Sequence, residues 1–482
     1  MSSLTGMSTL PRSAATEHGV DPRAVLAFLD AVDTDPAVEL HSLMVLRHGH
    51  VVAEGWWAPH TPDRARLLYS LSKSFTSTAL AFALTEGLVD LDDTAVSYFP
   101  EFSDQIIDPR SRAITLRHLA SMTSGHDRDM WGEAVERDRE EPVRGFLLSP
   151  PDKAPGSVFA YNQPCTYTLA AIIQRRTGQR LSEYLRPRLL DPLGIGDVGW
   201  QCWPAGRELG FSGLFARTED VAKLGQLYLQ RGRWGKDHLF PETYVEVATY
   251  SQISTSAMEN PDWRQGYGYQ FWMARHGYRG DGAFGQFSLV LPEQDAVVAM
   301  TGGTEATQTV LDHVWDHLLP GLGSASPDET ALPELEERLC RLQLPARRTQ
   351  PSPVRWEDWT AAPFPVTSAR DPSSRTTIAS VAVARADDRL EVTISERDNT
   401  MSFAVANGEW LVSEPRDVHG DVVPVAGSGG WLDEQTFLAE VIFLETPHRM
   451  DIVCSLPART ADASWLVTPL DGGRLQTLHR PR

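Results

Sequence analysis

The chain has few cysteines, no long apolar run and no excess of basic residues, and each shortage excludes a class of protein. Its four cysteines lie far apart among 482 residues, without the close spacing of a zinc site or a disulfide framework. No stretch of 18 or more apolar residues is present, so no membrane-spanning helix is predicted. The 44 basic and 64 acidic residues give a net charge of -20, which repels phosphate backbones and anionic membranes. We therefore expect neither nucleic acid nor a membrane as a partner.

Length and composition favour a cytoplasmic protein built from two domains. The residues before Pro11 contain no apolar segment of the kind that export signals have, and dispersed, reduced thiols suit a cytoplasmic location. A chain of 482 residues with 41% hydrophobic residues is too long for one ordinary core. We therefore expect two domains and little disorder.

The order of apolar runs predicts an α+β fold for the first 320 residues. Residues 42–47 and 51–56 are typical of a β-hairpin, and a long helical and loop-rich stretch follows. Strand character then returns in three runs before another helix. These runs are residues 267–273, 286–291 and 296–301. The order favours an antiparallel sheet flanked by helices, with a helical subdomain.

Composition divides the rest of the chain into a connector and a second β unit. The connector is rich in Pro, Ser and Arg. Short β-prone runs follow, separated by turns such as Asn407-Gly408. They predict a small antiparallel β barrel or sandwich, similar to a lipocalin. The predicted units are residues 1–320, 321–374 and 375–482.

The most informative segment runs from Ser70 to Lys73, at the start of a helix that is apolar almost all round. Positions i and i+3 share a helix face, so the Ser70 hydroxyl and the Lys73 amine can meet. Burial favours a neutral lysine, which can accept the proton of a serine nucleophile. The motif S-x-x-K also occurs by chance, and a serine at a helix start is most often a cap. The interpretation therefore depends on further segments.

Two further segments supply chemistry that complements this pair. Tyr161 ends the segment 155–161, just before a helix, and a tyrosine near a lysine can hold a lowered pKa and move protons. The other segment, 279–283, is rich in glycine and leads into a strand. Glycines there allow a close approach and leave backbone N–H groups open, as an oxyanion hole requires.

Together these segments resemble the serine β-lactamase and penicillin-binding-protein-like superfamily, in its class C-like branch of esterases, D-peptidases and acyltransferases. Residues 69–76 resemble the first motif, and residues 115–125 resemble the helix and loop T-L-R-x-L-L-x-x-T-S-G. Residues 155–161 resemble the second-motif block, and residues 212–224 resemble a further shared segment. The resemblance covers residues from about 20 to 320.

The resemblance implies a role for each matching residue. Ser70 is then the acylated nucleophile, Lys73 is its activator, and Tyr161 works with the lysine in moving protons. The backbone N–H groups of Ser70 and Ala283 form the implied oxyanion hole. A mechanism of this kind uses no metal and no organic cofactor.

Two positions depart from the superfamily's pattern, and both concern substrate binding. Gln163 stands where the second motif ends in Asn, which re-aims its contacts with a substrate amide. Gly280-Asp281-Gly282 stands where the third motif, K-T-G or H-x-G, carries a cation. That cation helps to bind the carboxylate of penicillins and cell-wall peptides, which Asp281 repels. These four residues are the expected substrate-binding positions, and they favour a small ester or an unusual amide.

The sequence thus predicts a serine hydrolase that forms an acyl-enzyme on an ester or amide, with D-amino-acid peptides and β-lactam-related compounds among the candidates. The expected partner is a small molecule or short peptide, and a homo-oligomer is possible. Two alternatives stay open. One is an acyltransferase or peptide cyclase that uses the same acyl-enzyme, and the other is a catalytically silent ligand-binding sensor.

Two other patterns are weak. Gly280-x-Gly282-x-x-Gly285 fits the dinucleotide fingerprint, but a strand follows it where the fingerprint needs a helix. His313 and His317 lie one helical turn apart without the glutamate of zinc proteases. We expect neither a metal site nor a nucleotide cofactor.

Overall fold

Helices and strands alternate through the first 320 residues, and strands dominate afterwards, in the computed structural model of the chain. It describes residues 9–350, 356–368, 376–386 and 389–481. The helices are α1 (Pro22–Thr34), α2 (Ser72–Thr85), α3 (Pro109–Arg112), α4 (Leu116–Ala120), α5 (Trp131–Arg137), α6 (Pro142–Leu147), α7 (Gln163–Thr177), α8 (Leu181–Leu185), α9 (Thr218–Leu229), α10 (Glu242–Ala248), α11 (Thr307–His313), α12 (Leu332–Cys340) and α13 (Glu357–Thr360). The strands are β1 (Leu40–Arg47), β2 (His50–Trp56), β3 (Arg66–Leu67), β4 (Gly199–Trp200), β5 (Leu214–Ala216), β6 (Arg233–Trp234), β7 (Asp237–His238), β8 (Trp272–Met273), β9 (Tyr278–Gly282), β10 (Gln286–Leu291), β11 (Ala296–Gly302), β12 (Phe364–Ser368), β13 (Ser380–Ala386), β14 (Arg389–Ser395), β15 (Thr400–Val405), β16 (Leu411–Ser413), β17 (Val425–Asp433), β18 (Thr436–Phe443), β19 (Arg449–Ser455) and β20 (Thr460–Val467).

A six-stranded antiparallel sheet forms the centre of the N-terminal unit, in the order β2-β1-β11-β10-β9-β8. The predicted hairpin and the last two predicted strands are confirmed as β1, β2, β10 and β11. The predicted run 267–273 is wrong as a strand, except at Trp272–Met273, and β9 takes its place beside β10. Glycine has a low strand propensity, so the sequence around Gly280 and Gly282 did not predict β9.

Side chains on the two faces of this sheet enter two different cores. Met44 and Leu46 of β1 pack with the helical subdomain, whereas Leu43 and Val45 pack against α1, α11 and α12 on the opposite face. This alternation follows from the two-residue period of a strand. The predicted α+β class is confirmed. Within the described residues, no helix has both the length and the apolar character that crossing a bilayer requires.

Helix α2 lies in the middle of the N-terminal unit and is buried from Ser72 to Ala83. Its polar side chains are satisfied by backbone carbonyls, because a buried hydroxyl without a partner is costly. Thus Ser74 Oγ donates to Gln270 O at 3.1 Å, and Thr76 Oγ1 donates to Gly210 O at 2.8 Å. The first turns of α2 are therefore surrounded by protein and held in place by it.

The C-terminal strands form one nine-stranded sheet, here called the barrel, in the order β15-β14-β13-β12-β20-β19-β18-β17-β16. The sheet is nearly closed, since Ala404 N donates to Ser413 Oγ and Gly429 N donates to Ala406 O across its two ends. It includes β12, which lies in the predicted connector; the division of the chain at residues 320 and 374 stays a prediction. Pro365 lies within β12 and cannot donate a hydrogen bond to the sheet, so the sequence did not predict a strand there.

The barrel contacts the N-terminal unit just before α2. Leu67 N donates to Glu445 O at 2.8 Å, and Arg66 Nη2 donates to Thr446 O at 3.2 Å. A partly buried ion pair joins Arg449 of the barrel to Glu39, which precedes β1. The two units thus meet at the segment that leads into Ser70.

Candidate active site

Ser70 lies in a short 3-10 turn, Tyr69–Leu71, that leads directly into α2, and Lys73 lies in the first turn of the helix. The Lys73 amine donates a hydrogen bond to Ser70 Oγ at 3.0 Å. The i, i+3 spacing thus places the two groups in contact. Ser70 is partly exposed, whereas Lys73 is buried.

Lys73 is 1% exposed and forms no ion pair at salt-bridge distance within the described residues. Besides Ser70, its amine donates to Gln163 Oε1 at 2.7 Å and to Phe211 O at 2.9 Å. Burial lowers the pKa of Lys73 to about 7, although the more distant carboxylates of Asp129 and Asp281 oppose the shift. A large fraction of the lysine is therefore neutral at neutral pH.

Tyr161 lies directly beside the lysine, with its ring centroid 4.6 Å from the Lys73 amine. The ring stacks on Trp272 at 5.5 Å between centroids and 25° between planes. Burial raises the pKa of Tyr161 well above its usual value, and an interaction with the Ser70 side chain offsets the rise only in part. The expectation of a lowered pKa is wrong here, because burial outweighs that interaction. At neutral pH the phenol carries its proton.

The amide of Gln163 faces the lysine, whereas its neighbour Asn162 is structural. Asn162 is fully buried, and its side chain accepts from Met130 N at 2.9 Å and donates to Ser124 Oγ at 3.2 Å. Gln163 begins α7, and its Oε1 accepts from Lys73. The longer glutamine side chain thus reaches the amine.

Glycines bring β9 against the turn that carries Ser70. A Cβ atom on Gly282 would lie 2.2 Å from Leu68 O, and one on Gly280 would lie 2.9 Å from Ser74 Oγ. Neither position accepts a side chain without a shift. Ala283 follows at once, and within the described residues neither its N–H nor that of Ser70 donates a hydrogen bond. Both N–H groups are therefore available to an oxyanion.

Asp281 is engaged by a cation that the sequence did not identify. Arg279, 0% exposed, donates from Nε to Asp281 Oδ2 at 2.8 Å. Its guanidinium also lies 4.4 Å from the ring centroid of Trp263. Even with this partner, burial raises the pKa of Asp281. The arginine next to the third motif is thus held by protein and is not free to bind a substrate carboxylate.

Sequence reasoning did not select three residues that shape the surroundings of the lysine. Asp129 accepts from Gln163 N at 2.8 Å and is the carboxylate with the largest effect on the pKa of Lys73. Phe211 contributes only its backbone carbonyl, for which no side-chain signal exists. Arg279 adjoins the third motif, but only the fold reveals its pairing.

No metal-binding group of three or more ligands lies at this cleft within the described ranges. The described residues hold one such group elsewhere, at the barrel: Asp417, Asp421 and His479. His313 instead bonds to Asp35 at 3.1 Å.

Comparison with known proteins places the chain in a family. Residues 31–312 match the family model described as Beta-lactamase. Esterase EstB of Burkholderia gladioli is 27% identical over 213 residues, which are 38% of this chain and 54% of the esterase. The 6-aminohexanoate-dimer hydrolase of Paenarthrobacter ureafaciens is 26% identical over 279 residues, which are 53% of this chain and 71% of the hydrolase. The chain thus spans about half the length of the esterase.

A solved structure supports the fold. The putative 6-aminohexanoate-dimer hydrolase from Bacillus anthracis superposes with a TM-score of 0.52 at 20% identity, covering 69% of this chain and 89% of that one. The family match covers more than half of the chain and includes the helix and strand that carry the site. The chain therefore belongs to the β-lactamase family of serine hydrolases.

Proposed function

We propose that the chain forms an acyl-enzyme on Ser70 with an ester or amide of a small molecule or short peptide, and releases the acyl group to water. The contact between the Lys73 amine and Ser70 Oγ, at 3.0 Å, carries the proposal. A lysine with a pKa of about 7 is close to the ideal for a base that works at neutral pH.

In the neutral form that starts acylation, Lys73 keeps two N–H groups for Gln163 Oε1 and Phe211 O, and its lone pair accepts from the Ser70 hydroxyl. As Ser70 Oγ bonds to the carbonyl carbon, its proton passes to neutral Lys73, and the carbonyl oxygen becomes an oxyanion between the N–H groups of Ser70 and Ala283. The bond to the leaving group then breaks. The leaving group takes a proton from Tyr161, whose high pKa keeps it protonated, and the Lys73 ammonium returns a proton to the phenolate. In deacylation water takes the place of the leaving group. Its oxygen bonds to the acyl carbon while its proton passes through Tyr161 to neutral Lys73, and the bond to Ser70 Oγ breaks as that oxygen takes a proton back from Lys73.

Charge in the cleft favours substrates without a carboxylate. Asp129 and Asp281 both act electrostatically on Lys73, and Arg279 is already bound by Asp281. A penicillin-like anion would meet two carboxylates and no free arginine at the third motif. The names of the esterase and the 6-aminohexanoate-dimer hydrolase bear on the bond and not on the charge, and they support an ester or amide as the bond that is cleaved.

The test is active-site labelling followed by a substrate panel. A fluorophosphonate probe should label the wild type and the exposed-serine control Ser157→Ala, but not Ser70→Ala. The panel contains p-nitrophenyl esters, D-amino-acid amides and nitrocefin, and esters or amides should react faster than nitrocefin. Absence of labelling in the wild type would support the ligand-binding sensor instead.

A competing amine distinguishes hydrolysis from acyl transfer. The acyl-enzyme is the same in both reactions, so only the acceptor differs. Product analysis with graded amine concentrations should give mainly the free acid. A dominant amide product would make the chain an acyltransferase or cyclase.

We also propose a location in the cell and an oligomeric state for the protein. The first is a cytoplasmic location, which cell fractionation tests. The second is a homo-oligomer, which size-exclusion chromatography with light scattering tests.

A further inference from the structure

Two aromatic residues with left-handed backbone conformations border the proposed oxyanion hole. Tyr69, at φ 48°, precedes Ser70, and Phe284, at φ 64°, follows Ala283. A positive φ is rare for a bulky side chain and costs on the order of 1 kcal/mol or more. The peptide unit between Tyr69 and Ser70 carries the Ser70 N–H, so the conformation of Tyr69 aims that donor. Surrounding structure must hold both aromatic residues in place.

One side chain of the barrel, His448, lies against both of them. The Tyr69 hydroxyl is 2.6 Å from His448 Nε2. The rings of Phe284 and His448 pack edge to face, with centroids 5.4 Å apart, and those of Tyr69 and Phe284 do so at 5.3 Å. The three rings therefore contact one another in a buried triangle.

His448 is itself fixed by the barrel. Its Nδ1 lies 2.9 Å from Val467 O, and a carbonyl oxygen only accepts, so Nδ1 carries the proton. Nε2 is then an acceptor, and Tyr69 donates to it. Burial lowers the pKa of His448 to about 3, so the ring is neutral at physiological pH.

The rest of the same barrel segment docks on the residues before Tyr69. This segment, residues 444–448, joins β18 to β19 and is called the barrel turn. Its carbonyls at Glu445 and Thr446 accept from Leu67 N and from Arg66. Val467 packs in one apolar cluster with Leu67, Tyr69 and Phe284. The contact of His448 with Tyr69 is thus one of several adjacent contacts between the barrel and the residues that lead into Ser70.

We propose that His448 is a positioning residue: through Tyr69 and Phe284 it holds the two backbone segments that present the oxyanion-hole donors. The proposal rests on the proposed function, because only an acyl-transfer site needs that geometry. The proposal thus gives the barrel a part in catalysis. His448 contributes through Tyr69 and Phe284, and it contacts neither Lys73 nor Tyr161.

Four variants test the proposal. His448→Phe keeps a ring but removes the acceptor, Tyr69→Phe removes the donor, and His448→Gln restores an acceptor at the place of Nε2. Val392→Ala is the control, since Val392 is 0% exposed in the barrel core and belongs to a cluster without Tyr69 or Phe284.

The expected signature is a loss in kcat with little change in KM. Loss of one oxyanion donor costs about 10² to 10³-fold in kcat, so misalignment in His448→Phe and Tyr69→Phe should cost about 10-fold. Affinity for a boronic acid that mimics the tetrahedral intermediate should fall in proportion to kcat/KM. The double variant should be no worse than either single one. His448→Gln should recover most of the kcat, and Val392→Ala should lower Tm without changing kcat.

Hydrogen exchange separates failure of this proposal from failure of the proposed function. Amides in residues 66–72 and 279–286 should exchange faster in His448→Phe than in the wild type or in Val392→Ala. If the probe labels Ser70 in the wild type but His448→Phe keeps its kcat and boronate affinity, the role of His448 is refuted and the function stands. If the probe does not label the wild type, the function fails, and with it the catalytic role of His448. Unchanged exchange at both segments would also remove its role in holding the backbone.

Discussion

Two buried cations lie beside the cleft, and the protein holds them in opposite ways. Lys73 donates only to neutral oxygens, one of them from Ser70, and burial lowers its pKa to about 7. Arg279 is bound by the carboxylate of Asp281 and stacks on Trp263. Burial without a bonded carboxylate makes a lysine into a base, whereas a paired arginine remains charged. The first cation can exchange a proton, and the second only organises its surroundings.

The strongest way to break this comparison is to remove the titrating amine. Lys73→Met should lower kcat/KM by about 10³-fold, because the Tyr161 phenol, which also interacts with Ser70, already carries its own proton. Lys73→Arg should lose as much, since a guanidinium does not deprotonate. Lys223→Met is the matched control, because Lys223 is also 1% exposed but bonds to Gly194 O. Steady-state kinetics check the result, and an active Lys73→Arg would contradict the role of the lysine as base.

Removing the paired cation should affect stability instead. Arg279→Met leaves the Asp281 carboxylate buried without its partner and should lower the free energy of unfolding by about 3 kcal/mol. Arg279→Lys keeps a charge and should lose less. The loss should shrink at low pH, where Asp281 is protonated in the folded and unfolded states alike. Urea denaturation at several pH values measures it, and an unchanged stability at neutral pH would show that the pair contributes nothing.

Tyr161 refines the comparison, because a substitution can remove its hydroxyl and leave its ring in place. Tyr161→Phe keeps the stacking on Trp272 and should lower kcat by about 10²-fold, the usual scale for a lost proton transfer. Tyr267→Phe serves as control, since that ring packs against Tyr161 at 6.1 Å. Kinetics on the best ester of the panel decide the matter. Equal kcat values for the two variants would remove Tyr161 from the mechanism.

The smallest effect concerns the pKa of Lys73 itself. Wild-type kcat/KM should fall as pH drops through about 7, because protonated Lys73 accepts no proton. A carboxylate favours the charged lysine, so Asp129→Asn should lower this pKa and move the acid limb to lower pH by about half a unit. Asp127→Asn is the control, because Asp127 is exposed and does not act on Lys73. A shift to higher pH, or none, would contradict the electrostatic assignment.

Local patterns predicted the contact of Ser70 with Lys73, which one helical turn separates, and failed where distant segments meet. The spacing of Ser70 and Lys73 was sufficient to predict their contact, since helical geometry fixes it. The direction of the Tyr161 pKa was wrong, because burial depends on the whole fold. Strand β9 was missed for its glycines, and β12 for Pro365. His448 carries no signal at all, since it lies 379 residues from Tyr69 in the chain.

The contact between the barrel turn and the segment before Ser70 has a consequence for folding during synthesis. Domains generally fold in the order in which a ribosome delivers them, and His448 follows Tyr69 by 379 residues. A nascent chain that ends before residue 448 lacks the contact with Tyr69, even where its N-terminal unit has folded. If His448 positions the oxyanion hole as proposed, such a truncated product would be folded but poorly able to form the acyl-enzyme.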